Sequence, residues 1–322
     1  MKSEILSILK NAKEFVSGEE LSKTLGVSRT AVWKNINSLR NNGYIINSVT
    51  NKGYKLVECP DILDENIISE GLDTTLAGKK IIILKTVDST NEEAKRCAIN
   101  GEESGLVVAA EEQTAGKGRL GRMWESQNGN GIYFTLLIRP DLPPSDISSI
   151  TLAAGYAVCL AIREYTGCDA KIKWPNDIII DNKKVCGILT EMAAQSDRLD
   201  FVAIGIGINV NQTGFPKEIS HKATSLLLES GNEINRNEFL RYVIKTLDTV
   251  LCSFLVSFSL EDAQKFKKLC ATLGRNVSVN RNNKIIEGVA VDVNLNGELI
   301  IKDNAGNNIT INSGEVTVQG IY

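Results

Sequence analysis

Residues 173–189, KWPNDIIIDNKKVCGIL, contain two apolar runs, a proline near the start and a polar pair between the runs. Pro175 cannot continue a helix, so it predicts a turn directly after Lys173-Trp174. The runs on either side of Asp181-Asn182 are typical of a β-hairpin, because Asp and Asn tolerate the backbone geometry of tight turns. The stretch therefore predicts paired strands in the middle of the chain.

Apolar patterning extends this sheet in both directions along the chain. It predicts strands at 80–87, 105–111, 132–138, 170–174, 177–181, 184–192 and 201–210. A long helix is predicted at 147–165, and further helices at 236–258 and 261–269. After a linker with a short helix near 60–70, residues 61–270 are thus predicted to form an α+β domain with a mixed sheet backed by helices.

The last part of the chain, residues 271–322, has a different pattern. Short β-runs alternate with Asn- and Gly-rich turns such as Asn296-Gly297. About five short strands in a segment of this length are typical of a small β-barrel of the SH3-like kind.

The first 60 residues are typical of three short helices followed by a hairpin. Ser17 is suited to cap the second helix and Gly26 to end it. A third helix follows Ser28, and two strands are predicted around Asn51-Lys52-Gly53. Helix, short turn, helix and hairpin together form a winged helix-turn-helix, in which the last helix enters the DNA major groove.

The charge and surface of this segment agree with a role in DNA binding. Residues 1–60 carry nine Lys or Arg against five Glu, whereas the whole chain has a net charge of −3. The predicted DNA-contacting residues lie at the start of the third helix and on its polar faces: Ser28, Arg29, Thr30, Trp33, Lys34 and Asn37. The alternative is a small helical domain with a solvated polar face.

Composition excludes several classes of protein. The chain has 322 residues, enough for two or three domains. Its seven cysteines contain no C-x-x-C pair, which argues against a disulfide framework or a zinc site. With His221 as the single histidine, most histidine-based catalysis is excluded. We expect no signal sequence and no run near the ~18 apolar residues of a membrane span, hence a cytoplasmic protein.

The loop at 116–124, GKGRLGRMW, concentrates glycine and positive charge. Its spacing matches neither the Walker loop nor the G-x-G-x-x-G dinucleotide motif. Glycine permits close approach, and arginine binds phosphate or carboxylate with two parallel hydrogen bonds. The loop is therefore either a flexible solvated segment or one that folds over an anionic ligand.

Two further motifs leave alternatives open. Residues 88–91, DSTN, precede a polar helix and are either a plain N-cap or the binding site of a polar ligand. Gly205 and Gly207 interrupt an apolar strand, which indicates either a close ligand or a tightly packed core. Asn176 and Asp177 offer the oxygen ligands that Mg²⁺ prefers.

In chain order, DSTN, QTAGKGRLGRMW, KWPNDI, KKVCGIL and GIGINVN resemble motifs of the biotin–protein ligase family. The two flanking domains resemble those of the bifunctional members, which are also biotin-operon repressors. The resemblance covers essentially the whole chain. It implies synthesis of biotinyl-5′-AMP from biotin and MgATP, transfer of biotin to a lysine of a carboxyl carrier domain, binding to operator DNA and a ligand-promoted homodimer.

The resemblance also implies residue roles. Lys184, Arg119 and Asp177 would be catalytic, and Asp177 could contact the Mg²⁺ that enters with ATP. Biotin or its adenylate would be bound by Ser89, Thr90, Asn91, Gln113, Gly116, Lys117, Gly118, Arg119, Arg122, Trp124, Lys184, Gly187 and Asn209. One position departs from the family pattern: Lys117 stands where the loop commonly has Arg, which keeps the charge but loses bidentate geometry.

Two other functions are compatible with the same motifs. A lipoate or octanoate transferase would share the fold and the acylation of lysine. A DNA-binding sensor could hold biotin or its adenylate without ligase turnover, although the presence of Lys184, Arg119 and Asp177 argues against it.

Overall fold

The structure is a computed structural model that describes residues 1–41, 43–58, 61–195, 198–256, 260–281, 284–312 and 314–322. The chain divides into two compact units, Met1–Ile62 and Leu63–Tyr322. Cys59 and the last two positions of the helix predicted at 236–258 lie outside the described residues.

The first unit has the helices and the hairpin that were predicted from its sequence. Its described elements are α1 (Lys2–Asn11), α2 (Gly18–Leu25), α3 (Arg29–Asn41), β1 (Ile45–Val49) and β2 (Gly53–Glu58). The Ser17 side chain caps α2 by accepting a hydrogen bond from Glu20 N at 3.0 Å, and Gly26 ends it in the left-handed conformation. Both capping predictions are confirmed. Val32, Ile36 and Leu39 of α3 are buried in the core of this unit.

The second unit is built on a seven-stranded sheet within the part of the chain that the structure describes. Its order is β3-β4-β5-β9-β8-β7-β6, with β3 and β4 parallel and the other neighbours antiparallel. The strands are β3 (Lys80–Val87), β4 (Leu106–Gln113), β5 (Gly131–Ile138), β6 (Lys171–Lys173), β7 (Asp177–Ile180), β8 (Lys183–Gln195) and β9 (Arg198–Asn209). The predicted strands are all present, with small shifts at their ends.

Helices cover both faces of this sheet. They are α4 (Glu65–Ser69), α5 (Thr90–Ile99), α6 (Ile147–Thr166), α7 (Leu226–Ser230), α8 (Arg236–Val256) and α9 (Leu260–Leu269). Helices α6 and α8 pack in the main core, whereas α5 covers the opposite face through Ala94 and Ala98. The N-terminus of α5 therefore lies over the middle of the sheet, where β4, β5 and β9 meet.

By length and composition, one helix in the described ranges could span a membrane, Pro144–Thr166, with a mean hydropathy of 1.5. The sequence prediction concerned unbroken apolar runs, and the longest such run in this helix lies between Thr151 and Arg163. The helix is mostly buried inside the protein, and Ala154, Val158 and Ile162 are fully enclosed, as in the core helix of a globular domain.

The C-terminal strands form a separate antiparallel sheet in the order β13-β12-β11-β10-β14. These strands are β10 (Asn276–Arg281), β11 (Lys284–Val293), β12 (Leu299–Lys302), β13 (Asn308–Ile311) and β14 (Glu315–Val318). The apolar side chains of this sheet belong to the same core as α6 and the central sheet. Trp174 Nε1 also donates to Gly297 O at 3.0 Å. These contacts bring the end of the chain against the central sheet.

Candidate functional site

A cavity of about 1050 Å³ lies on the face of the central sheet that carries α5. Its walls come from the start of α5, the loop 117–127, strands β7, β8 and β9, the loop 212–223 and the segment 314–322. Thirteen of the residues singled out in the sequence line this cavity: Ser89, Thr90, Asn91, Gln113, Lys117, Gly118, Arg119, Arg122, Trp124, Asp177, Lys184, Gly187 and Asn209. Segments far apart in sequence thus converge on one site.

Hydrogen bonds fix the start of α5 at one end of the cavity. Ser89 occupies the N-cap position, but its side chain makes no capping hydrogen bond, so it is not a plain N-cap. Thr90 N donates to Gln113 Oε1 at 2.8 Å, and Thr135 Oγ1 donates to Asn91 Oδ1 at 2.6 Å. Because the Ser89 hydroxyl is not used for capping and lines the cavity, it is available to a polar ligand.

The loop between Gly116 and Trp124 forms a tight turn at the rim. Trp124 N donates to Gly116 O at 2.9 Å, and Gly118 N donates to Arg122 O at 2.7 Å. Leu120, at the tip, has a left-handed backbone with φ of 55°, which costs about 1–2 kcal/mol for a residue with a Cβ. Leu120 is also 71% exposed. A strained, exposed tip is suited to a loop that changes conformation when a ligand enters.

The three cationic side chains of this loop have different partners. Arg119 donates to Asn176 Oδ1 at 3.0 Å and to Gly314 O at 3.1 Å. Its burial lowers the pKa of its guanidinium. Arg122 pairs with Glu315 of β14. Lys117 pairs with Glu92 of α5, and this contact helps to lower the pKa of the Glu92 carboxyl.

A second cationic cluster surrounds Asp177. Lys184 Nζ lies 2.6 Å from Asp177 Oδ1, in an ion pair without the alignment of a hydrogen bond. The same ammonium group lies 5.2 Å from the centroid of the Trp124 ring. Lys173 is 8% exposed, and burial lowers its pKa. Positive charge from β6 and β8 therefore faces the cavity beside the end of the loop.

The two glycines of β9 are explained by close packing of cavity side chains. A Cβ atom at Gly205 would overlap Asn91 Oδ1, and one at Gly207 would overlap the Trp124 indole. Trp124 Nε1 and Gln212 Oε1 are buried and have no hydrogen-bond partner in the described part of the chain. Because buried polar atoms are normally paired, these two atoms point to a ligand that supplies their partners.

The surface of α3 carries the residues predicted to contact DNA. Arg29, Thr30 and Lys34 are exposed, as is Ser28 just before the helix, and Trp33 is 53% exposed. Asn37 is half-buried. This exposed cationic face lies on the second helix of the helix-turn-helix, the helix that enters the major groove in such domains.

Three family models match three separate segments of the chain. The chain matches the models of an HTH domain at 2–55, the Biotin/lipoate A/B protein ligase family at 83–209 and the Biotin protein ligase C terminal domain at 272–318. It is 38% identical over 309 residues to the bifunctional ligase/repressor BirA of Bacillus subtilis (strain 168), and the match covers 95% of each chain. The chain belongs to the biotin protein ligase family.

Two further relatives extend the match to the whole chain and to the fold. The bifunctional ligase/repressor BirA of Escherichia coli (strain K12) is 30% identical over 317 residues, which cover 97% of each chain. A biotin protein ligase from Aquifex aeolicus, solved in complex with biotin and ATP, has a TM-score of 0.65 at 34% identity. The match covers 75% of this chain and 99% of the Aquifex aeolicus chain. The predicted family and fold class are confirmed.

Within this biotin protein ligase, one predicted binding residue does not line the cavity. Gly116 lies at the base of the loop, where a Cβ atom would press on Trp124 O and Ser126 Oγ. Its absent side chain lets the two ends of the loop approach each other. Gly116 thus shapes the loop, and its contact with a ligand stays a prediction.

Several cavity residues were not found from the sequence. Tyr133, Gln212, Glu315 and Tyr322 carry no local motif, and they reach the site only because the sheets bring them there. Lys173 could have been found, because it begins the stretch KWPNDI on which the family resemblance rests.

Proposed function

We propose that this protein is an ATP-dependent biotin–protein ligase that also represses transcription in response to biotin. The observation that best supports the ligase activity is the positive charge of the cavity lining. Six Lys or Arg side chains line it against three acidic ones: Lys117, Arg119, Arg122, Lys173, Lys184 and Lys222 against Glu125, Asp177 and Glu315. Biotin carboxylate and ATP are both anions, and a cavity of this charge offsets their repulsion.

The first chemical step is attack by a biotin carboxylate oxygen on the α-phosphorus of ATP. A bond forms between that oxygen and phosphorus, the bond from phosphorus to the bridging oxygen breaks, and pyrophosphate leaves. We propose that Lys184 bridges the carboxylate and the α-phosphate, where negative charge accumulates in the transition state. Asp177, 2.6 Å from Lys184 Nζ, would hold that ammonium group in place.

We propose that Mg²⁺ enters as part of the MgATP substrate. In the described residues, no group of three or more His, Cys, Asp or Glu side chains could hold a metal ion by itself. Asp177 would supply at most one carboxylate, and the phosphate oxygens would supply further ligands. In nucleotide sites Mg²⁺ is usually bound by one or two carboxylates together with the substrate phosphates.

In the second step, the amine of a carrier lysine attacks the acyl carbon of the adenylate and AMP leaves. The adenylate is a mixed anhydride that water hydrolyses, so the site must exclude water between the two steps. We propose that Lys117, Arg119 and Arg122 close the loop over the phosphate, with Ser89, Thr90, Asn91, Gln113, Gly116, Gly118, Trp124, Gly187 and Asn209 forming the rest of the biotin and adenylate site. The physiological acceptor would be a biotin carboxyl carrier domain.

The test of the ligase function is pyrophosphate release by the full-length protein. Biotin with MgATP is expected to release pyrophosphate, and a biotin carrier domain is expected to sustain turnover. Lipoate in place of biotin serves as the control for a lipoate-transferring relative. A protein that binds biotin but releases no pyrophosphate would be a sensor without ligase activity.

Arg119→Gly is expected to permit adenylate synthesis but to release the adenylate, so that lysines of unrelated proteins become biotinylated. The Arg119 side chain connects the loop to Asn176 Oδ1 and to Gly314 O, and both hydrogen bonds are lost in the variant. The measurement is biotin incorporation into bovine serum albumin, compared with Arg198→Gly, an exposed arginine outside the cavity. Equal retention of the adenylate by wild type and Arg119→Gly would contradict a closing role for this residue.

For the second function, we propose that the first unit binds a palindromic operator as part of a ligand-promoted homodimer. One helix-turn-helix neutralises few phosphates, whereas two copies match the symmetry of a palindrome. We also propose the division into domains 1–60, 61–270 and 271–322, which the separate family matches support. Such a protein would work in the cytoplasm, where it meets carrier proteins and the chromosome.

Biotin together with MgATP is expected to tighten operator binding more than biotin alone does. The adenylate would bind the dimer-competent state more tightly and shift the population toward it. A gel-shift titration with a palindromic fragment from upstream of a biotin-synthesis operon measures the effect. Lys184→Ala should lose the additional tightening that MgATP gives, because this variant makes little adenylate. Operator affinity that is the same with and without ligand would leave only the ligase function.

A further inference from the structure

We propose that Tyr322 is a positioning residue for adenylation, which holds Asp177 through its hydroxyl group and Lys173 through its ring. The inference rests on the proposed ligase function, since both partners line the same cavity. Tyr322 lies 145 positions after Asp177 in the chain, next to the last strand of the C-terminal sheet.

The hydroxyl group of Tyr322 fixes one oxygen of the Asp177 carboxylate. Tyr322 Oη donates to Asp177 Oδ2 at 2.6 Å, while Lys184 Nζ lies 2.6 Å from Oδ1. Burial, followed by the charge of Asp177, raises the pKa of the phenol, so Tyr322 is a donor throughout the neutral range. Each carboxylate oxygen thus faces a different group, and Lys184 keeps donors free for the cavity.

The ring of Tyr322 stabilises the charge of Lys173. The Lys173 ammonium lies 3.8 Å from the ring centroid and is almost fully buried. Within the described chain, no carboxylate lies within 4.0 Å of it. A buried lysine without an ion pair tends to lose its proton, and contact with the face of an aromatic ring opposes that tendency.

The C-terminal sheet holds Tyr322 in this place. The preceding residue, Ile321, is buried in the core, and its N donates to Val318 O at 3.1 Å. Ile321 therefore provides the apolar anchor, and the Tyr322 side chain is free to contact two polar groups of the cavity.

Loss of the hydroxyl group would release Asp177 Oδ2. The carboxylate could then turn toward Lys184 with both oxygens and withdraw the ammonium from the substrates. Because that ammonium is proposed to act on the transition state, the turnover rate should fall while the affinity for biotin stays the same.

The test compares full-length wild type, Tyr322→Phe and Tyr322→Leu by the rate of pyrophosphate release at varied biotin and MgATP. Tyr322→Phe keeps the ring and is expected to lower kcat about tenfold, as loss of a hydrogen bond to a charged group does. Tyr322→Leu should be slower still, because Lys173 also loses its partner. The KM for biotin should change by less than about twofold in Tyr322→Phe.

The matched control is Tyr242→Phe. The hydroxyl group of Tyr242 also donates to a carboxylate, Glu164 Oε2 at 2.7 Å, but this residue does not line the cavity. Its kcat should equal that of wild type.

A double-mutant cycle separates positioning from structural support. If Tyr322 acts through Asp177, then Tyr322→Phe should slow the wild type but have little further effect in an Asp177→Asn background. Equal slowing in both backgrounds would overturn the inference, as would a Tyr322→Phe variant with wild-type kcat. Lack of pyrophosphate release by the wild type would instead contradict the proposed function, so the two failures are distinguishable.

Discussion

Lys184→Ala is expected to slow adenylate formation by on the order of 10²-fold or more, the usual effect of removing one preorganised electrostatic stabiliser. The side chain is partly exposed and extends into the cavity, so its truncation leaves the core intact. The loss has two parts. The transition state loses a cation, and Asp177 loses the ion pair that balances its charge, so an unneutralised carboxylate then faces two anionic substrates.

Pyrophosphate release in a single turnover, with biotin and MgATP in excess, measures this rate. The chain offers a matched control in Lys183→Ala, an exposed lysine one residue earlier on β8 that does not line the cavity. The control should keep the wild-type rate, and both variants should keep the wild-type melting temperature. Near-normal adenylate formation in Lys184→Ala would remove this residue from the mechanism.

Local physical chemistry accounts for the parts of the fold that were predicted. The hairpin at Asp181-Asn182 is an example, since both residues adopt left-handed backbone angles, with φ of 47° and 63°. Asp and Asn are among the few residues with a side chain that tolerate this geometry in a two-residue hairpin turn. The signal is contained in two neighbouring residues, so no knowledge of the rest of the chain was needed.

Contacts between distant segments could not be predicted in this way. Arg119 and Gly314 are 195 positions apart, and nothing near either residue indicates the other. Their contact depends on how the C-terminal sheet packs on the core of the central sheet. The family resemblance located the loop, but it left out Tyr322 and Glu315, which hold Asp177 and Arg122.

A helix of membrane length does not require an unbroken apolar run. A search for unbroken apolar runs misses a helix such as Pro144–Thr166, in which small and polar residues interrupt the apolar ones. Gly155 and Ser149 are buried in this helix beside larger apolar side chains. The apolar pattern predicts the helix itself at 147–165, and the burial of 61% of its apolar window is that of a core helix.

Removal of residues 1–60 is expected to abolish operator binding. The cationic face of α3 lies wholly within this segment, and the rest of the chain has a net charge of −7, which repels DNA. The remaining unit, Leu63–Tyr322, has its own extensive core, so the truncated protein should still fold. Fluorescence anisotropy with a labelled palindromic fragment measures the loss.

Single substitutions in the full-length protein test which side chains of α3 contribute to operator binding. Arg29→Ala and Lys34→Ala should each weaken operator binding and reduce the slope of log K against log salt concentration by about 1, since each removes a phosphate contact. Adenylation should change little in either variant. Lys23→Ala is the matched control, because this exposed lysine lies on α2 and pairs with Glu19. Equal weakening by Lys23→Ala would mean that net charge, and not the face of α3, determines the binding, and undiminished binding by the truncated protein would place the DNA site elsewhere in the chain.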